Sequence, residues 1–115
     1  GHGMTDWLVK LADADPALPD PSVPMRYADM LRHGTMRLGL YAPRGEDTQT
    51  PHKQDELYIV IAGTGSFIKN GERRPFSAGD AIFVEAGVEH RFEDTSKDFA
   101  TWVIFRGQQG GEAGQ

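Results

Sequence analysis

Residues 48–63 read TQTPHKQDELYIVIAG. From residue 56 onward the stretch is apolar on both faces of an extended chain, which is the pattern of a central strand covered on each side. Glu56 opens that run, and strand parity puts it on one face with Tyr58 and Val60. A carboxylate on an interior face is costly and needs a cation or a strong hydrogen-bond network beside it. His52 stands four residues earlier. The same short segment thus predicts a buried strand and a polar site next to it.

The surrounding sequence repeats the strand pattern. MRYADMLR (25–32) reads as a first strand, broken at His33-Gly34. In TMRLGLYA (35–42), Met36, Leu38, Leu40 and Ala42 alternate against Arg37 and Tyr41. Asn70-Gly71 joins SFIK to ERRPF, and both residues tolerate the positive φ of a type I′ hairpin turn. AIFVE, a turn at Ala86-Gly87, HRFED and FATWVIF follow. Short strands separated by turns, without helices between them, predict an all-β sandwich or barrel.

The ends read differently. Gly1-His2-Gly3 ahead of Met4 reads as an expression remnant. Residues 5–14 carry a helical signal, with Thr5 or Asp6 as cap and Trp7, Leu8 and Leu11 on one face. The proline-rich ADPALPDPSVP cannot continue a helix, so 4–24 is expected to form an arm carrying one short helix. The barrel is expected over 25–106, and the glycine-rich 107–115 as a flexible tail.

Composition narrows the function. The chain has 115 residues, enough for one domain with one core. Its net charge is −5 and its basic residues form no stripe, which argues against nucleic-acid binding. No apolar run approaches the ~20 residues that span a bilayer, and no secretory signal is visible, so a cytoplasmic location is expected. There is no cysteine, hence no disulfide, thiolate ligand or cysteine nucleophile.

His90 begins HRFED, where Arg91, Glu93 and Thr95 make one face wholly polar. His90 therefore points inward with Phe92. A buried imidazole must satisfy two ring nitrogens, by hydrogen bonds or by a metal. Two inward imidazoles and one inward carboxylate, His52, Glu56 and His90, suit a divalent ion. A hydrogen-bonded polar cluster is the alternative. His33, at a strand break, reads as a turn or surface residue.

The sequence resembles the cupin superfamily, in particular its small single-domain members, through Pro51-His52 and Asp55-Glu56-Leu57-Tyr58. Gly45, His52, Glu56 and Gly63 fall where that family's first motif has its glycine, second histidine, glutamate and closing glycine. Thr50 occupies the first-histidine position. Gly79, Gly87 and His90 keep the spacing of the second motif, with Glu85 in place of its proline and Asp94 in place of its asparagine. The motifs cover 45–63 and 79–94, and the strand pattern extends the likeness from about Met25 to Phe105. The resemblance implies a double-stranded β-helix, or jelly-roll, barrel. It also implies that His52, Glu56 and His90 match three of four usual metal ligands, with Thr50 at the fourth position. Such a two-His, one-carboxylate set with open positions suits Fe(II), also Zn(II), and leaves Mn, Ni and Co open.

Around these three residues, Gln49 and Gln54 could reach a metal or ligand, and Tyr58, Phe67, Phe92 and Trp102 could line a pocket or simply pack. Arg37 and Tyr41 form an anion clamp if their face turns inward, and are surface residues if it does not. Two functions are open: a metal-dependent enzyme on a small polar or carboxylate-bearing molecule, of dioxygenase or isomerase type, or a non-catalytic small-ligand-binding module. For the enzyme, Tyr58 is the candidate proton acceptor. The arm and the first strand read as edge elements, so a homodimer is expected.

Overall fold

The computed structural model describes residues 7–112. Gly1–Gly3, the expected caps Thr5 and Asp6, and residues 113–115 of the tail lie outside them. Helical backbone starts only at α1 (Leu11–Ala14), a single turn continued by a 3-10 turn over Asp15–Ala17 that contains Pro16. Lys10 is already extended, at φ −90° and ψ 138°. The helix is therefore shorter than the expected 5–14. Trp7 and Leu8, assigned to its apolar face, are exposed, Trp7 at 89%, and a helix this short does not persist in water without packing.

All eight strand segments form. They are β1 (Tyr27–His33), β2 (Met36–Tyr41), β3 (Asp55–Ala62), β4 (Thr64–Lys69), β5 (Glu72–Ser77), β6 (Ala81–Val84), β7 (His90–Glu93) and β8 (Ala100–Arg106). A five-stranded sheet runs β1-β2-β8-β3-β6 and a three-stranded sheet runs β5-β4-β7, with every pairing antiparallel. This all-β arrangement agrees with the sandwich or barrel expected from the strand pattern and with the jelly roll that the resemblance implies. Asn70 and Gly71 both take positive φ, 52° and 86°, at the β4–β5 hairpin, as a type I′ turn requires. Pro75, which cannot donate to a ladder, sits in β5 at the edge of its sheet.

One interior cluster joins the two sheets. Tyr58 and Val60 of β3, Val103 and Phe105 of β8 and Tyr41 of β2 meet Phe67, Phe76 and Phe92 of the smaller sheet. On β3 the inner residues Glu56, Tyr58 and Val60 are buried, while Leu57, Ile59 and Ile61 on the outer face are only half-buried. β3 is thus fully covered on one side alone. Leu40 is buried on the outer face of β2, and Ala28 of β1 and Ala14 of the arm are buried too, although none belongs to the interior cluster. The arm is tied to the start of the barrel by Arg26 Nε, which donates to the Pro19 carbonyl at 2.7 Å.

At the other end, residues 107–112 are strapped to the approach to β3. Gln54 Nε2 donates to the carbonyls of Thr35 and Gly107. Gly110 N–H donates to the Lys53 carbonyl and Glu112 N–H to Asp55 Oδ2. Among the described residues no helix is long and apolar enough to cross a membrane.

Candidate metal centre and its cavity

Three elements bring the polar cluster together. β3 supplies Glu56 at its inner start, the loop before it supplies His52, and β7 supplies His90 as its first residue. The loop is pinned to the β6–β7 turn, where Gly87 N–H donates to the His52 carbonyl at 2.8 Å. One ligand atom from each of His52, Glu56 and His90 lies within 4.8 Å of the other two. Bonds of ~2.1 Å place the donors of one ion roughly 3–4 Å apart, so the set can close on a divalent ion with small adjustments.

The hydrogen bonds indicate what belongs between them. His90 Nδ1 lies 2.9 Å from the Val88 carbonyl, which can only accept, so Nδ1 carries a hydrogen. In the neutral ring Nε2 then presents a lone pair. That lone pair faces Glu56 Oε1 at 2.9 Å, and His52 Nδ1 lies 2.9 Å from the same oxygen. Lone pair against carboxylate is repulsive unless a cation, proton or metal, sits between them. The second carboxylate oxygen, Glu56 Oε2, is buried with no hydrogen-bond partner. Glu56 is 2% exposed, and a buried acceptor left this way is an unmet demand for a cation or donor. The residues present therefore fit a divalent metal.

The electrostatics show the same demand for positive charge beside Glu56. Burial opposes ionisation of Glu56, but hydrogen bonds from His52 and His90 outweigh it and hold the carboxyl below its ordinary range. Burial likewise opposes charge on His90, and here the Glu56 hydrogen bond, the Val88 carbonyl and nearby carboxylates raise its pKa. Tyr58 hydroxyl lies 3.2 Å from His90 Nε2. Burial, then the charge of Glu56, pushes this phenol well above its usual pKa.

Asp47, on the loop after β2, was not singled out from sequence, yet it organises this end of the barrel. It is 5% exposed. Its Oδ1 accepts from the Tyr41 hydroxyl at 2.8 Å, and its Oδ2 from Gln49 Nε2 and Phe92 N–H, both at 2.8 Å. With the Gln49 amide nitrogen committed to Asp47, its Oε1 turns to the Tyr58 hydroxyl at 3.3 Å. A chain Asp47–Gln49–Tyr58 results, and it sets the Tyr58 hydroxyl beside His90. No motif marks Asp47, and a carboxylate in a polar loop gives no sign in sequence that it will be buried.

A cavity of about 270 Å³ opens beside His52. Met25, Val103 and Phe105 make its apolar wall, and Tyr27, Tyr41, Gln49 and Tyr58 bring polar groups. Arg37 also lines it, so the Arg37–Tyr41 face of β2 is the inner one. Gly39, between them, makes room for Tyr27: a Cβ there would lie 2.2 Å from the Tyr27 ring.

The remaining expected residues divide. Phe92 and Phe67 pack beneath Tyr58, at 4.9 and 5.8 Å between ring centres. Thr50 is exposed. Gln54 turns away to bind the tail. Trp102 lies on the outer face of β8, between the inward Thr101 and Val103 and opposite Leu40 and Ile59, because β parity separates it from Val103 and Phe105.

Comparison with known proteins gives this architecture its family. Residues 37–105 match the cupin domain model, and the chain belongs to that family. An uncharacterised protein of Streptomyces coelicolor is 37% identical over 81 residues, covering 69% of this chain and 77% of that protein. The oxalate-binding protein of Thermotoga maritima is 38% identical over 47 residues, 38% of this chain and 39% of that protein. Among solved structures, the plu4264 protein of Photorhabdus luminescens superposes with a TM-score of 0.68 at 20% identity, covering 87% of each chain.

Proposed function

We propose that this cupin is a metal-dependent enzyme acting on a small molecule, of dioxygenase or isomerase type, with His52, Glu56 and His90 as the metal ligands. The observation that carries the reading is the buried Glu56 carboxylate, with one oxygen shared by two imidazoles and the other without a partner. A divalent ion there, of iron, zinc, manganese or nickel, would act as Lewis acid or oxygen activator on a substrate bound through its oxygens. The chain's own part is to hold that substrate in the adjoining cavity. Tyr58, held by Gln49 with its hydroxyl 3.2 Å from His90 Nε2, is a side chain beside the ligand set that can share a proton with a bound substrate. Phe105 and Val103 wall the cavity on its apolar side.

Elemental analysis of protein purified without added metal should find a transition metal, and His90→Ala should lose it. Unchanged metal content in His90→Ala would sink the ligand assignment. Oxygen uptake with the restored ion separates a dioxygenase from an isomerase.

One observation favours a second reading, a non-catalytic ligand-binding module: Thr50, which stands where the family motif has its first histidine, is exposed. Ligand binding that survives chelation, with no turnover, would select it. For assembly we propose a homodimer, since β1 is a sheet edge and Leu57, Ile59, Trp102 and Ile104 leave an apolar outer face half-covered. Light scattering that reports a monomer removes this part.

A further inference from the structure

Arg37 is a cation turned into a cavity without an anion to meet it. It projects from the inner face of β2, its guanidinium 4.3 Å from the centre of the Phe105 ring. Among the described residues it makes no ion pair and no hydrogen bond. The neighbouring carboxylate of β1, Asp29, is taken by Arg32 at 2.6 Å and by the Tyr27 hydroxyl at 3.2 Å. The His52 ring lies on the same phenyl ring, 5.0 Å between centres. Phe105 is thus a common floor, with the guanidinium and a proposed metal ligand both packed on it. Both also line the one cavity of about 270 Å³.

An arginine stacked on an aromatic ring keeps its fork of donors free and pre-oriented for a planar oxyanion. Where His52 borders the cavity, a divalent ion held by the ligand set would be only half neutralised, because Glu56 is the single anionic ligand. Two positive poles set over one phenyl ring complement a short molecule with an anionic oxygen at each end. We infer that the cavity takes a short dicarboxylate, one carboxylate held by Arg37 and the other directed at His52, Glu56 and His90. This rests on the metal reading for its second pole, but the Arg37 pole stands on its own contacts.

The test titrates succinate and its uncharged diamide into the protein, metal-free and loaded with Co(II), following backbone amide resonances of β2 and β8. The cobalt absorption spectrum reports the metal end separately. The wild type should prefer succinate by about tenfold or more in the loaded protein, as a charge-assisted pair requires. A weaker preference should persist without metal. Arg37→Met, which keeps the stacking bulk, should abolish the preference in the metal-free protein while cobalt uptake is unchanged. Arg37→Lys, which keeps the charge without the fork, should retain part of it and confirms that loss in Arg37→Met is not misfolding. Equal binding of the acid and the diamide overturns the inference, as does a metal-free preference that Arg37→Met leaves intact. Failure to take up cobalt instead overturns the metal reading, and the metal-free titration still decides the role of Arg37.

Discussion

The barrel interior has two halves built from the same strands. On β3, Glu56 and Tyr58 face the open half and Val60 the closed one; on β7, His90 is followed two residues later by Phe92. The closed half is aromatic and closely packed. Phe92 lies within 4.8–5.5 Å, centre to centre, of Phe67, Phe76, Phe99 and Tyr58. The open half holds a buried carboxylate, two imidazoles and a cavity. A single two-residue step along each strand thus moves from packing to chemistry. The closed half supplies the stability that lets the open half keep a carboxylate out of water, since burying a charge costs several kcal/mol before its partners offset it. Phe92 belongs to both halves, because its ring is core and its backbone N–H binds Asp47.

Phe92→Ala should do the greatest damage. Removing a ring packed against five others should cost about 3–5 kcal/mol in denaturant unfolding. It should also loosen the ligand set, read as weaker metal retention. Full stability in this variant would break the division into a supporting and a supported half.

Asp47→Asn should come next. It leaves the fold but puts an amide against donors from Tyr41, Gln49 and Phe92, at a cost of about 1–3 kcal/mol. Loss of Gln49 orientation should then show as a changed chemical shift for His90. A smaller effect, about 1 kcal/mol, is expected for Gly39→Ala. The added methyl must push the end of the Tyr27 side chain aside, so thermal stability should shift little while ligand affinity changes more. Arg73→Ala serves as the outer reference. Its ion pairs with Glu93 and Asp94 are on the surface, and its loss should stay below about 1 kcal/mol in the same unfolding experiment.

Parity carried most of what could be read in advance. Glu56 beside Tyr58 and Val60, and His90 beside Phe92, are inward for the same reason: in a strand, successive side chains alternate faces and one face must be apolar. Asn70-Gly71 fixed a hairpin because few other residues accept two positive φ values in succession. His52 lies in a loop without parity, and it was legible only through its spacing from Glu56. Parity also separated Arg37 and Tyr41 from Leu40, but it could not tell which face was inner, since arm and barrel bury both.

From its sequence alone this protein reads as a cysteine-free, all-β chain in which His52, Glu56 and His90 are candidate metal ligands. Those properties follow from local rules: alternation, turn chemistry and the cost of an interior charge. Only the tertiary structure decided that Asp47 anchors the site and that Trp102 faces outward while Arg37 faces the cavity. It also showed Gln54 holding the tail instead of the ligand set. Each of these depends on partners far apart in the chain, as Asp47 and Phe92 are, and no local pattern records which distant residue will fill a given hydrogen bond.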